Sequence, residues 1–314
     1  MTEKPSIREA ATVAVLLCVR NGETYLREQI DSLARQDHPR IDIWASDDGS
    51  TDDSLAVLRD AAAEWRKGGF EILQGPQTGF AENFRALLVH PAIEAPYFAF
   101  CDQDDIWMAD KLSAAVDWLS KQGGRPALYS SRTQLIDHKG RPAGLSPRFA
   151  KRPSFRNALV QSIAGGNTMV MNRAAREIVA QASRRTSFIS HDWWCYLVVS
   201  GAGGAVHHSL EPRIFYRQHD ANLVGAKTSW SARLSRYAFL LEGGFAGWLS
   251  RNIEGLNLCR DLLTDDALAV IDHVHSSRGK GLTERLRRLH RSRVYRQTPL
   301  GTLGLYLASA IGKL

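Results

Sequence analysis

Tyr97-Phe98-Ala99-Phe100-Cys101-Asp102-Gln103-Asp104-Asp105-Ile106-Trp107 is the stretch on which the reading of this 314-residue chain turns. An apolar run of strand type passes directly into a cluster of carboxylates, Asp102, Asp104 and Asp105. In open α/β sheets, ligands bind outside the carboxyl ends of the strands. Oxygen-only carboxylate ligands suit Mg²⁺ or Mn²⁺, and those ions in turn suit phosphates. The same residues also suit an acidic turn that starts a helix, because Asp is a good N-cap. Spacing alone does not choose between the two.

Upstream, Val13-Ala14-Val15-Leu16-Leu17-Cys18-Val19 is a continuous apolar run closed by Arg20-Asn21-Gly22. It predicts a buried parallel strand and a turn. Tyr25, Leu26, Ile30 and Leu33 recur at helical spacing. Ile41 to Ala45 predicts a second strand, followed by the turn Ser46-Asp47-Asp48-Gly49-Ser50-Thr51-Asp52 and a helix through Leu55, Leu58 and Ala62. Phe70 to Leu73 is a third strand, Gly75 to Gly79 a loop, and Phe80 to Val89 a helix. Tyr97 to Phe100 is the fourth strand, Lys111 to Leu119 a helix and Ala127 to Tyr129 a further strand. Strands alternating with helices imply βαβ units. The expected class is therefore α/β, a mostly parallel open sheet over about residues 12–130.

Beyond 130 the alternation loosens. Arg148 to Asn157 predicts a surface segment. Gly165-Gly166-Asn167 leads into a strand through Met171, and Ser190-His191-Asp192-Trp193-Trp194 opens a helix. Ala205 to Ile214 predicts one or two short strands. From 229 onward the pattern is helical, and residues 278–296 hold eight basic residues against one Glu.

Composition is that of a globular protein, 44% hydrophobic and 23% charged. The net charge of +7 lies wholly in residues 225–314, which hold 14 Lys/Arg and 7 Asp/Glu. A neutral body argues against nucleic acid as a partner. Cys18, Cys101, Cys195 and Cys259 are dispersed and form no CxxC pair, which argues against a disulfide framework or zinc site and fits a reducing compartment. The polar stretch Met1 to Ala11 gives no expectation of a signal peptide. No run reaches the ~18 apolar residues of a membrane span. The expected location is cytoplasmic.

Two acidic turns, Asp47-Asp48 and Asp102 to Asp105, follow two parallel strands and would face one crevice. The first can bond a base or ribose, and the second can hold a metal that clamps a diphosphate. Together they favour a nucleotide-diphosphate site over a pair of capping turns. There is no Walker-type loop, no Gly-x-Gly-x-x-Gly after the first strand and no Gly-x-Ser-x-Gly elbow.

The chain resembles an inverting family 2 glycosyltransferase with the GT-A fold. The resemblance rests on Arg20-Asn21-Gly22, on Ala45-Ser46-Asp47-Asp48-Gly49-Ser50-Thr51-Asp52, on Thr78-Gly79-Phe80-Ala81-Glu82-Asn83-Phe84 and on Phe100 to Trp107. With Tyr216-Arg217-Gln218-His219-Asp220-Ala221-Asn222-Leu223-Val224-Gly225, the last two look like the rhamnosyltransferase-like branch that builds bacterial surface polysaccharides. Arg20 stands where the family usually has Tyr, and Gln77 where Asn is usual. The resemblance implies a GT-A domain over 1–225 and a basic helical region over 226–314.

It also implies roles. Asp48 would contact the donor's base with Arg20 near it, and Gly79 and Asn83 would belong to the donor site. Asp102 and Asp104 would be the Asp-x-Asp pair, with Asp104 the first choice as ligand to Mg²⁺ or Mn²⁺ and His219 a candidate to complete the metal or diphosphate site. Asp192 sits where the family keeps its catalytic base. Candidates for acceptor contact are Asp105, Gly166, Asn167 and Trp193. The donor is expected to be a nucleotide-diphosphate sugar, dTDP-rhamnose first, and the acceptor a surface-polysaccharide or lipid-linked glycan.

Taken singly, the residues have plainer explanations. Asp192 could cap its helix, His219 could be an ordinary surface or core histidine, Trp107 reads as core, and Gly165-Gly166-Asn167 could be a simple turn. Leu282, Leu286 and Leu289 make an apolar stripe beside the arginines, so 278–314 is either a solvated basic face or a peripheral membrane contact. Two rival functions share the motif set: a metal-dependent nucleotidyltransferase, and a non-catalytic sugar-binding or assembly protein on the same fold.

Overall fold

The computed structural model describes residues 11–219, 244–277 and 280–314. The stretch Asp220 to Gly225, the expected 225/226 boundary and Arg278 lie outside the described residues.

The first half follows the predicted alternation. The order is β1 (Val13–Val19), α1 (Glu23–Ala34), β2 (Ile41–Asp47), α2 (Ser54–Glu64), β3 (Phe70–Gln74), α3 (Phe80–Val89) and β4 (Tyr97–Cys101). Strand β1 pairs in parallel with β2 and β4, and β2 with β3. Its continuous apolar run has a simple cause, since both faces of the strand are covered. Ala14 and Leu16 belong to one apolar core, while Val13, Val15, Leu17 and Val19 belong to the other. Helices α1 and α2 contribute Leu26, Ile30, Leu33 and Leu58 to the second core, and α3 contributes Phe84, Leu87 and Leu88 to the first.

After β4 come β5 (Ile106–Trp107), α4 (Lys111–Ser120), β6 (Ala127–Ile136), β7 (Pro142–Leu145) and α5 (Phe155–Ala158). A 3₁₀ turn (Gly166–Thr168), β8 (Val170–Asn172), α6 (Arg173–Arg185), α7 (His191–Gly201) and β9 (Ala205–Arg217) complete the sheet region. The described strands join in the order β3-β2-β1-β4-β8-β6-β9-β5, with β7 on β6. Strand β8 runs antiparallel to both β4 and β6. A reversed strand delivers its leading loop to the edge where the parallel strands end, so the 3₁₀ turn reaches the turn after β4.

Three expectations change in detail. The segment expected to hold short strands is one long strand, β9, paired in parallel with β6 through two register shifts. The surface segment 148–157 is exposed only in its first part, for Phe155 and Asn157 are buried. The stripe Leu282, Leu286, Leu289 does not face outward: Leu289 is fully buried in the core, Leu286 is half-buried and only Leu282 is exposed.

The described C-terminal region is helical: α8 (Gly244–Asn257), α9 (Asp265–His275), α10 (Leu282–Ser292) and α11 (Pro299–Ala310). Phe245, Leu249, Val270, Leu289 and Leu305 join the same apolar core as α3 and α7. Polar ties reinforce this. Gln297 takes the Lys151 amide on Oε1 at 3.0 Å and donates Nε2 to the Lys151 carbonyl at 3.1 Å.

Candidate active site

The turn after β2 is built on its own acids. Asp47 Oδ2 accepts the amides of Gly49 (3.2 Å) and Ser50 (3.0 Å). Asp48 is buried, with Oδ1 accepting the Gln77 amide (2.6 Å) and Oδ2 the Gly79 amide (3.0 Å). Those two bonds hold the 75–79 loop, where Gln77 sits at φ 60°, a left-handed conformation uncommon for a side-chain-bearing residue. Asp52 accepts the Ser54 hydroxyl at 2.5 Å and the Glu23 amide at 3.1 Å. Burial works to raise its pKa, but the bonds from the Ser54 hydroxyl and from the Glu23 and Ser54 amides hold it below the usual value. Asn83 is buried on α3 and exchanges two bonds with Ser46, accepting its hydroxyl (2.5 Å) and donating to its carbonyl (3.0 Å).

The turn after β4 behaves differently. Asp102 is pushed up to about 7, by burial first and then by the charges of Asp104 and Asp192, with Lys111 opposing. Asp105 is fully buried and pushed well above the usual range by burial, then by Asp104 and Asp102. Its carboxylate accepts Asn167 Nδ2 at 2.5 Å and the Arg217 amide at 3.2 Å. Lys111 is also fully buried; its Nζ lies 3.2 Å from the centroid of the Trp107 ring and has no hydrogen-bond partner among the described residues. Burial pulls it down to about 7. Trp107 is core, as expected.

Strand β9 carries the other wall. Arg217, at its end, is buried and donates Nε to the Asp104 carbonyl (3.1 Å) and Nη2 to Glu28 (2.5 Å). Its guanidinium lies over the Tyr25 ring, 4.5 Å from the centroid. Two residues on, His219 Nε2 meets Asp104 Oδ2 at 2.8 Å, and its ring packs on Tyr25 at 5.3 Å. The structure thus joins Asp104 and His219 across 115 residues of chain. Asp102 lies beside them, and Asp192 is close enough to Asp102 for their charges to repel.

Asp192 opens α7, half-buried, with Oδ1 accepting the next amide, Trp193 N, at 2.6 Å. Its neighbours turn inward. Trp193 is buried and donates Nε1 to the Ala158 carbonyl at 2.7 Å. His191 is buried between Phe84, at 3.8 Å between centroids, and Phe100, at 4.7 Å. Burial pulls its pKa down to about 4 against the opposing pull of Asp192. Gly166 gives that imidazole its room: a Cβ there would stand 1.8 Å from His191 Nε2. Of the acceptor candidates, Asp105 and Asn167 therefore bond each other, Trp193 bonds the body of the protein, and Gly166 lies buried under His191.

Among the described residues no group of three His, Cys, Asp or Glu side chains converges on a metal position. What converges is the Asp104–His219 pair with Asp102 beside it. The donor types, carboxylate oxygen and imidazole nitrogen, suit Mn²⁺ or Mg²⁺. The charges of Asp104 and Asp192 both act on Asp102, and Lys111 opposes them only in part.

Three contributors were not singled out in the sequence. Arg217 lay inside a quoted motif, but its burial was not legible there. Gln103 sits between the two expected ligands; its Oε1 accepts the Arg20 amide (2.7 Å) and its Nε2 donates to the Arg20 carbonyl (3.0 Å). Arg20 is itself exposed at the lip of the site. Lys111 carried only a helix-start signal.

The model of Glycosyl transferase family 2 matches residues 14–179. The dTDP-rhamnosyl transferase RfbG of Shigella flexneri is 26% identical over 269 residues, covering 83% of this chain and 87% of that protein. An uncharacterized glycosyltransferase of Rickettsia conorii, RC0461, is 28% identical over 138 residues, 44% of this chain but only 22% of that protein. Among solved structures, S. aureus TarS 1-349 in complex with UDP-GlcNAc shares the fold with a TM-score of 0.52 at 16% identity, over 96% of this chain and 90% of that one.

Proposed function

The chain belongs to glycosyl transferase family 2 and is a glycosyltransferase on a GT-A-type sheet, and from that premise we propose that it moves a sugar, with inversion, from a nucleotide-diphosphate donor to a glycan hydroxyl. One observation carries the reading: the charges of Asp102, Asp104 and Asp192 meet at the carboxyl end of β4, with His219 bonded to Asp104. Similarity to RfbG supports dTDP-rhamnose as the donor to try first. The acceptor we assign is a surface-polysaccharide or lipid-linked glycan. Four free cysteines fit a reducing cytoplasmic setting.

In this reading Asp192 takes the proton from the acceptor hydroxyl as that oxygen attacks the anomeric carbon, a general-base contribution of roughly 10²–10⁴ in rate. The opening of α7 holds its carboxylate in place through the Trp193 amide. A single displacement inverts the anomeric centre, and the sugar–oxygen bond to the diphosphate breaks as the new one forms. Asp104 and His219, with Asp102 beside them, would hold a Mg²⁺ or Mn²⁺ through few protein ligands, a coordination that substrate phosphates usually complete. Such an ion supplies charge stabilisation for the leaving diphosphate when bound. Asp48 and its bonded loop 75–79 form the base side of the cleft, beside Arg20. Contact with a membrane surface falls to the basic region 278–314.

Screening dTDP-rhamnose, UDP-GlcNAc and GDP-mannose by thermal shift, with and without Mn²⁺, tests the donor assignment. A ligand at 100 times its Kd adds about 2.7 kcal/mol. A metal-dependent rise with one of them is expected. If none shifts the melting point, the donor reading fails.

A further inference from the structure

We propose that α11 is a membrane-docking element that lays its outward face on an anionic lipid surface. Helix α11 has no charged residue from Pro299 to Ala310. A helix with no charge on any face, whose polar groups are only Thr302, Tyr306 and Ser309, is ill suited to lie open to water. Yet among the described residues its buried positions are confined to one side, Leu305 and Ser309. Leu300 is 80% exposed, Leu303 54%, Leu307 59% and Ile311, just past its end, 59%. These positions recur at three and four residues, so they form one continuous stripe. At 12 residues, α11 is about 18 Å long, too short to cross a bilayer. No helix among the described residues is long and apolar enough to do so.

What covers such a stripe follows from the charge beside it. Helix α10 lies alongside: Arg285 Nη2 donates to the Ala310 carbonyl at 2.6 Å, and Tyr306 Oη lies 3.5 Å from His290 Nδ1. Its core side is Leu289 and Ser292, which leaves Arg291 and Arg287 toward solvent, Arg287 with 60% of its side chain exposed and Nη1 3.5 Å from Glu284 Oε2. Lys313 follows α11 and is exposed. A second copy of this face would bring the same positive charges together, a costly like-charge contact. An anionic bilayer answers both parts: headgroups pair with the arginines while the leucines enter the acyl boundary.

The inference stands on this surface and not on the donor chemistry. It extends the proposed function by bringing the cleft to the surface where a lipid-linked acceptor would lie. It also moves the lipid contact off the Leu282, Leu286, Leu289 stripe, since Leu289 belongs to the core.

The test is co-sedimentation of the full chain with phosphatidylcholine vesicles, with and without phosphatidylglycerol, and with no nucleotide sugar present. The wild type should sediment with the anionic vesicles and be released by salt. L303S/L307S should weaken partitioning by roughly tenfold per leucine. R287Q/R291Q should weaken it by about fivefold per arginine on anionic vesicles alone. Both pairs are exposed, so melting points should match the wild type. The proposal is overturned if the wild type ignores both vesicles, or if either variant binds like the wild type. It is also overturned if light scattering finds a dimer that L303S/L307S dissolves while vesicle binding is absent.

Discussion

The turn after β2 and the turn after β4 look alike as strings of aspartates but differ in balance: amides dominate around the first, while in the second Asp105 takes the Arg217 amide and still faces Asp104 and Asp102. In the first, Asp47, Asp48 and Asp52 accept backbone amides, and Asp52 is held below its usual pKa. In the second, Asp102 and Asp105 are pushed upward by burial and by neighbouring acids. Carboxylates whose lone pairs are satisfied by amides stabilise a fold. Carboxylates that face one another store a demand for positive charge, which is what a cation and a diphosphate site need. Sequence shows the acids; it does not show whether amides or other acids surround them.

The sharpest way to break this contrast is through Asp192, which faces the second turn. Asp192→Asn should lower kcat by about 10²–10⁴. Its melting point should stay within about 2 °C of the wild type, because no buried network is lost. A comparable fall in stability would make Asp192 a structural cap after all. Asp48→Ala should do the reverse, costing about 2–3 kcal/mol in urea unfolding by leaving the Gln77 and Gly79 amides without partners. Unchanged stability there would return Asp48 to a purely ligand-facing role.

The smallest effect concerns pH. His191 packs on Phe100, which leads into the second turn. Its folded pKa is pulled from 6.5 to about 4. Between those values the unfolded chain binds the extra proton, so stability rises with pH across the window. It is present in full above pH 6.5 and is lost as pH falls toward 4, by about 2 kcal/mol between 6.5 and 4.5. Equilibrium unfolding at several pH values should show that slope, and His191→Leu should flatten it. An equal slope in the variant would assign the loss to other groups.

Much of the β1–β4 half was legible because local signals agree there. Continuous apolar runs are what a strand covered on both faces must look like, and Val13–Val19 and Tyr97–Phe100 were read on that basis; the second strand runs one residue further, to Cys101. The site's other half was not legible from local pattern. Strand β5 has only two residues, and β9 is mostly half-buried, so neither carries a strong periodic signal. The Asp105–Asn167 pair spans 62 residues and depends on the reversal of β8. His219 was named from a motif, but its contact with Asp104 follows from the β6–β9 pairing, and the burial of Arg217 from the packing around Tyr25. In the C-terminal region composition left a solvated basic face and a membrane contact equally open, while the helix presenting the leucines emerged only from which side of α11 is buried.

Gln103 has one consequence for how an Asp-x-Asp pair is read. Its side-chain amide gives and takes one bond with the backbone of Arg20, the exchange two peptide groups make across a sheet. The side chain is in effect a borrowed peptide unit that fastens the end of β1 to the turn after β4. It fits because Gly22 leaves the space free, where a Cβ would lie 2.6 Å from Gln103 Oε1. Glutamate at 103 has the same shape but no donor: it would set an anionic oxygen against the Arg20 carbonyl and add a further negative charge to a crowded turn. The residue between Asp102 and Asp104 thus needs both a donor and an acceptor on one side chain, which glutamine has and glutamate lacks.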